Sequence, residues 1–152
     1  MFTLHVFETY FVGRATQLAL PSDKKQAIRK AVDAMAGAMK ISADDLFDAV
    51  MEREKVMSTG MGHGVAIPHA KIKGLKDFAV SISRSDSPID YGSLDATPVR
   101  ILALLLSPED RTKEHVKMIA DITKRLKYSH VRQSILDAYT AAEIEAAFLQ
   151  AG

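Results

Sequence analysis

The sequence predicts one layered α/β domain over residues 1–152, with a central mixed sheet of about four to five strands flanked by helices. Three observations carry that prediction. Val99 to Leu106 is an almost unbroken apolar run, as a central strand covered on both faces requires. Phe78 to Ser83 alternates apolar with small polar residues, the pattern of a half-buried strand. The segments around them repeat their apolar residues at helical spacing.

The elements follow in order. Phe2, Leu4, Val6, Phe7, Tyr10 and Phe11 predict a short helical turn packed on the body. Ala15 to Leu20 reads as a first short strand, closed by Pro21. Ser22 caps a helix reaching about Met39, because Ile28, Ala31, Val32, Met35 and Met39 share one face. Ser42-Ala43-Asp44-Asp45 resembles a capping box with Asp in place of Glu, and opens a second helix with core stripe Leu46, Phe47, Val50 and Met51. Ser85 to Pro98, rich in Pro, Gly, Asp and Ser, reads as loop, and Ser107-Pro108-Glu109-Asp110 breaks the strand that begins at Val99. A third long helix turns Val116, Ile119, Ile122 and Leu126 inward. A helix over about Val131 to Tyr139 follows, then a last one opened by the capping box Thr140-Ala141-Ala142-Glu143.

At 152 residues the chain is large enough for a real core, and its 47% hydrophobic and 26% charged fractions are those of a globular protein. A formal net charge of +1 argues against a nucleic-acid binder working through a broad basic field. With no cysteine there is no disulfide framework and no thiolate chemistry, which fits a cytoplasmic location. The N-terminus lacks the basic region and long apolar core of a signal peptide, and Ile101 to Leu106 is far too short to span a bilayer. The expectation is a cytoplasmic protein without membrane insertion.

Ser58 to Lys71, Ser-Thr-Gly-Met-Gly-His-Gly-Val-Ala-Ile-Pro-His-Ala-Lys, concentrates the candidates for chemistry. Gly60, Gly62 and Gly64 predict a tight, substrate-facing turn. Pro68 gives His69 a stiff platform. Upstream, Arg53 falls on the same helical face as Leu46 and Val50; it either reaches out to water or binds an anion. His115 starts the buried stripe of the third helix, either as a core-edge histidine satisfied by a carbonyl or, beside His69, as a group that holds a phosphate at a helix N-terminus. Met57 and Met61 flank the loop, as core filler or as an adaptable docking surface.

Other chemistries lack their signatures. His63, His69 and His115 invite a metal, yet there is no cysteine, no His-Glu-x-x-His helix and no carboxylate at ligand spacing. The glycine loop is not followed by Lys-Ser or Lys-Thr and lacks the spacing of a dinucleotide cradle. No Gly-x-Ser-x-Gly elbow occurs.

Glu52-Arg53-Glu54, Ser58-Thr59-Gly60-Met61-Gly62 and Val65-Ala66-Ile67-Pro68-His69-Ala70-Lys71 together resemble the signature of enzyme IIA domains of the bacterial phosphoenolpyruvate:sugar phosphotransferase system, in the mannitol/fructose class that includes the nitrogen-regulatory type. Asp110-Arg111-Thr112-Lys113-Glu114-His115-Val116 is similar to that family's second histidine motif. The resemblance implies that His69 accepts a phosphoryl group from a phosphorylated histidine-containing phosphocarrier protein, that His115 supports the phosphate, and that Arg53 lies near the site. It implies stabilisation of the transferring group by the glycine loop (Gly60, Gly62), the Thr59 hydroxyl, His115 and Arg53, with no metal and no cofactor. His63 departs from nitrogen-type members, which usually carry Asn there, and could add a titratable group beside the phosphate. The expected role is regulatory, through target proteins bound according to phosphorylation state. The alternatives are delivery of phosphate to the IIB domain of a separate permease, and a pure interaction module that is never phosphorylated.

Overall fold

The computed structural model describes residues 4–151, with side chains from Phe7 onward. In chain order these residues form α1 (Leu4–Tyr10), a 3-10 turn (Gly13–Ala15), α2 (Lys24–Met39), α3 (Ala43–Val56), β1 (Gly60–Gly62), β2 (Val65–Ala66), β3 (His69–Ile72), β4 (Ala79–Ile89), β5 (Val99–Pro108), α4 (Thr112–Leu126), α5 (Ser129–Asp137) and α6 (Ala141–Leu149). The architecture is α/β, with a mixed sheet of five strands flanked by helices. Phe2 lies outside the described residues.

The central strand is β5, as its apolar run demands. It pairs antiparallel with β4 on one side and parallel with β2 and β3 on the other. Its side chains alternate between two cores, since successive residues of a strand face opposite ways. Leu102, Leu104 and Leu106 join α2 and α3 in one core. Ile101, Ala103 and Leu105 join Phe7, Met118, Ile122, Ile135 and Phe148 in the other.

Strands β2 and β3 are two pieces of one edge, broken at Ile67-Pro68. Proline has no N–H for a ladder, so regular pairing stops there. The Ile67 N–H turns to Thr59 O at 3.0 Å, while Pro68 O accepts from Leu105 N at 3.1 Å. The break sets His69 at the head of β3, opposite Leu105.

Several elements differ from the sequence reading. Ala15 to Leu20 is no strand: after the 3-10 turn the segment runs as a strap along β4. It is tied there by Arg84 N to Gln17 O at 3.0 Å and Leu20 N to Arg84 O at 2.9 Å, and Val12, just before the turn, donates to Val80 O at 2.8 Å. Ser83 Oγ takes the Gln17 N–H at 2.9 Å. The strap covers an edge that would otherwise offer free ladder groups. The cap of α2 is Asp23, whose carboxylate accepts from Gln26 N, one residue beyond Ser22. Strand β4 runs past Ser83 to Ile89, with a register shift between Arg84 and Ile89, so it takes in part of the expected loop. Strand β5 continues through Ser107 and Pro108, because β3 pairs with it that far. On α4 the inward residues are His115, Met118, Ile122, Arg125 and Leu126, whereas Val116 is 60% exposed. Helices α3 and α6 start at their expected caps, Ser42 and Thr140.

Candidate active site

One end of the sheet gathers chemistry from three elements. His69 comes from β3, Arg53 from the last turn of α3, and His115 from the first turn of α4. Together with Ala49, Ala70, Lys71, Thr112, Val116 and Ile119 they line a cleft of ≈ 450 Å³. Helices α3 and α4 pack into different cores on either side of the sheet, and their side chains meet beside the first residues of β3, His69, Ala70 and Lys71.

His69 and His115 are both largely buried, at 8% and 7% exposure, with ring centroids 5.2 Å apart. His69 Nδ1 lies 2.7 Å from Ile67 O. A carbonyl can only accept, so Nδ1 carries the proton and Nε2 is left with its lone pair. Burial holds His69 below the ordinary histidine value; the Ile67 carbonyl opposes that shift and Arg53 adds to it. His115 Nδ1 is 2.6 Å from Ser107 Oγ. Burial, then repulsion from His69, Lys71 and Arg53, brings the His115 pKa down to about 4. Both rings are therefore neutral near pH 7, one of them a ready nucleophile.

The cleft is positive without being crowded by acids. Arg53 is half-buried and donates from Nη1 to Met57 O at 2.8 Å, which closes the end of α3 and leaves its other donors for the cleft. Lys71 reaches Thr112 Oγ1 at 3.5 Å across the mouth. The N-terminus of α4 adds its own positive end. The charge and the donors of such a site are complementary to an anion with several oxygens.

The glycine hairpin stands elsewhere. Val65 pairs with Ile101 and His69 with Leu105, so the hairpin is offset by four residues along β5, about 13 Å at strand rise. The turn takes φ of 90°, 58° and 78° at Gly62, His63 and Gly64, and Asp95 Oδ2 accepts from His63 N at 3.1 Å. A Cβ on Gly60 would clash with the Ser93 side chain, so the glycine serves close approach to a neighbouring segment. Met61, Gly62 and His63 line a separate hollow with Thr123, Leu126 and Lys127. Gly60, Gly62 and His63 are thus not brought to His69, and Met61 rims the hairpin rather than the cleft. Met57, whose carbonyl holds Arg53, is 59% exposed.

Thr59 is committed as well. Its hydroxyl donates to Glu54 Oε2 at 2.6 Å and lies 3.0 Å from Tyr91 OH, and its N–H donates to Glu54 Oε1 at 2.9 Å. Lys24 Nζ pairs with Glu54 Oε1 at 3.0 Å. Burial, with the Glu54 carboxylate second, pushes the Tyr91 phenol upward, so it remains protonated. The hydroxyl faces this network and not the cleft. Glu54, Tyr91 and Lys24 escaped the sequence reading, as did Ser107 and Lys71. Glu54 at least could have been found, since it follows Arg53 in the motif.

Among the described residues no cluster of three or more His, Cys, Asp or Glu could hold a metal, and no helix is long and apolar enough to cross a membrane. A nitrogen regulatory protein of Pseudomonas aeruginosa is 32% identical over 130 residues, covering 85% of this chain and 84% of its own length. The fructose-specific EIIA component of the phosphotransferase system of Haloferax volcanii is 29% identical over 126 residues, 82% of each chain. The crystal structure of nitrogen regulatory protein IIA-Ntr from Neisseria meningitidis aligns with TM-score 0.85 at 28% identity, covering 92% of this chain and 97% of that one. The family model of the phosphoenolpyruvate-dependent sugar phosphotransferase system, EIIA 2, matches residues 14–151, and the chain belongs to that family.

Proposed function

We propose that this chain is a histidyl phosphoryl carrier that takes a phosphoryl group on His69 Nε2 from a phosphorylated histidine-containing phosphocarrier protein. The observation that carries the reading is the 2.7 Å contact of His69 Nδ1 with Ile67 O, which keeps the Nε2 lone pair free beside Arg53, Lys71 and His115. In the transfer, the lone pair of Nε2 forms the new N–P bond while the pair of the donor N–P bond returns to the donor ring. Nδ1 keeps its proton on Ile67 O throughout, so the acceptor ring needs no base. The guanidinium of Arg53, the ammonium of Lys71 and the N-terminus of α4 offset the charge on the equatorial oxygens, and His115 supports the phosphate. Val116 and Met57, both exposed and apolar, give a docking partner something to cover and then leave.

The role we assign is regulatory, through target proteins that read the phosphorylation state, in keeping with the name of the Pseudomonas relative. Delivery to a permease IIB domain is the second reading, favoured by the fructose-specific relative. The test is intact-protein mass after incubation with phosphoenolpyruvate, enzyme I and the phosphocarrier, for wild type and His69→Ala. A single acid-labile adduct on the wild type alone is expected. No adduct with the donor shown to be charged would leave a binding module, and fast onward transfer to a sugar-specific IIB domain would reverse the choice of role.

A further inference from the structure

Ser107 sits at the end of β5, wholly buried, with its Oγ 2.6 Å from His115 Nδ1. That nitrogen is its one hydrogen-bond partner among the described residues. A serine hydroxyl has one proton to give, and a buried proton without an acceptor is costly. If Nδ1 held the ring proton and donated it to Oγ, the hydroxyl proton would have nowhere to go. The satisfied arrangement has the hydroxyl donating to a bare Nδ1, so the ring proton rests on Nε2.

We propose that Ser107 is a positioning residue: by donating to His115 Nδ1 it fixes the His115 ring and keeps its Nε2 as an N–H donor for the phosphoryl oxygens. Ile67 and Ser107 thereby set two neighbouring histidines in opposite tautomers. A carbonyl below His69 leaves Nε2 bare for attack, and a hydroxyl below His115 leaves Nε2 protonated for donation. The low pKa of His115 agrees, since a neutral ring has a tautomer to be fixed. Two rings 5.2 Å apart would otherwise have the same choice of tautomers, and the cleft would lose its division between acceptor and donor.

The effect on transfer rests on the carrier reading, while the tautomer itself does not, and the test separates them. Long-range proton–nitrogen correlation spectra of the 15N-labelled protein near neutral pH report which imidazole nitrogens carry protons. Wild type should show His115 with bare Nδ1 and protonated Nε2, and His69 with the reverse. In Ser107→Ala, which only removes an oxygen, the two His115 nitrogen shifts should move toward each other. Phosphoryl transfer to His69 should slow about tenfold, the scale of one hydrogen bond, at unchanged KM for the donor. Ser107→Thr, which restores a hydroxyl, should recover both. A proton on Nδ1 of His115 in the wild type would overturn the proposal, as would a Ser107→Ala protein with unaltered shifts and rate. The expected wild-type shifts without any phosphoryl adduct would uphold the tautomer and overturn the carrier reading instead.

Discussion

His69 and His115 lie in one cleft but answer to different partners, and their surroundings can be read through stability as well as chemistry. His115 titrates at about 4 in the folded protein, against 6.5 for a free side chain. Between those values the unfolded chain binds a proton that the folded chain does not, so stability rises with pH across this window and is lost as pH falls through it. His69, also lowered, acts in the same direction. Urea unfolding near pH 7 and about pH 5 should therefore show a falling midpoint, and His115→Gln should flatten that fall; an unchanged slope would mean that the ring is not held neutral. This pair and Arg53 were legible in the sequence because a proline, a helix start and a helical face fix where each side chain stands. Ser107 was not, since nothing in an apolar run reveals which neighbour a serine will face.

At the scale of elements, the glycine loop shows how a motif mixes two jobs. Its second half, Ile67-Pro68-His69, breaks an edge strand and sets the candidate nucleophile; its first half makes a hairpin that contacts the far end of β5. Adjacency in sequence put both halves at one site, whereas strand rise separates them. Thr59 joins them from beneath, through Glu54, Tyr91 and the carbonyl that takes the Ile67 N–H. Thr59→Val keeps the shape and removes the hydroxyl, leaving one Glu54 oxygen without that donor. It should cost about 1–3 kcal/mol in urea unfolding, with the proposed phosphoryl transfer slowed far less than by loss of His69. A severe transfer defect at wild-type stability would return the hydroxyl to the phosphate. The missed strand ends have a similar origin: Ser85 to Pro88 and Ser107-Pro108 carry turn-forming residues, yet the first stretch is held between Arg84 and Ile89, which both pair with β5, and the second pairs with β3.

Across the whole molecule, β5 separates two cores and the cleft straddles them. Arg53 is delivered by the α2–α3 side, His115 by the α4 side, and His69 by the sheet between. A site built that way exists only while both layers are docked, so the two cores should fail together. The two-sided apolar pattern of β5 made this layering legible in the sequence, since each parity of its residues has to be covered by something. Ile28 on α2 and Ile122 on α4 are both fully buried, one in each core. Ile28→Val and Ile122→Val should each cost about 0.5–1.5 kcal/mol by losing one methylene. Sharing no packing neighbours, they should add in the double variant to within about 0.5 kcal/mol. All three proteins should unfold in one transition, seen alike by far-ultraviolet dichroism and by loss of the phosphoryl uptake we propose for His69. Two separated transitions, with uptake lost in the first, would mean that one layer can leave while the other stands, and that the cleft depends on the weaker of them.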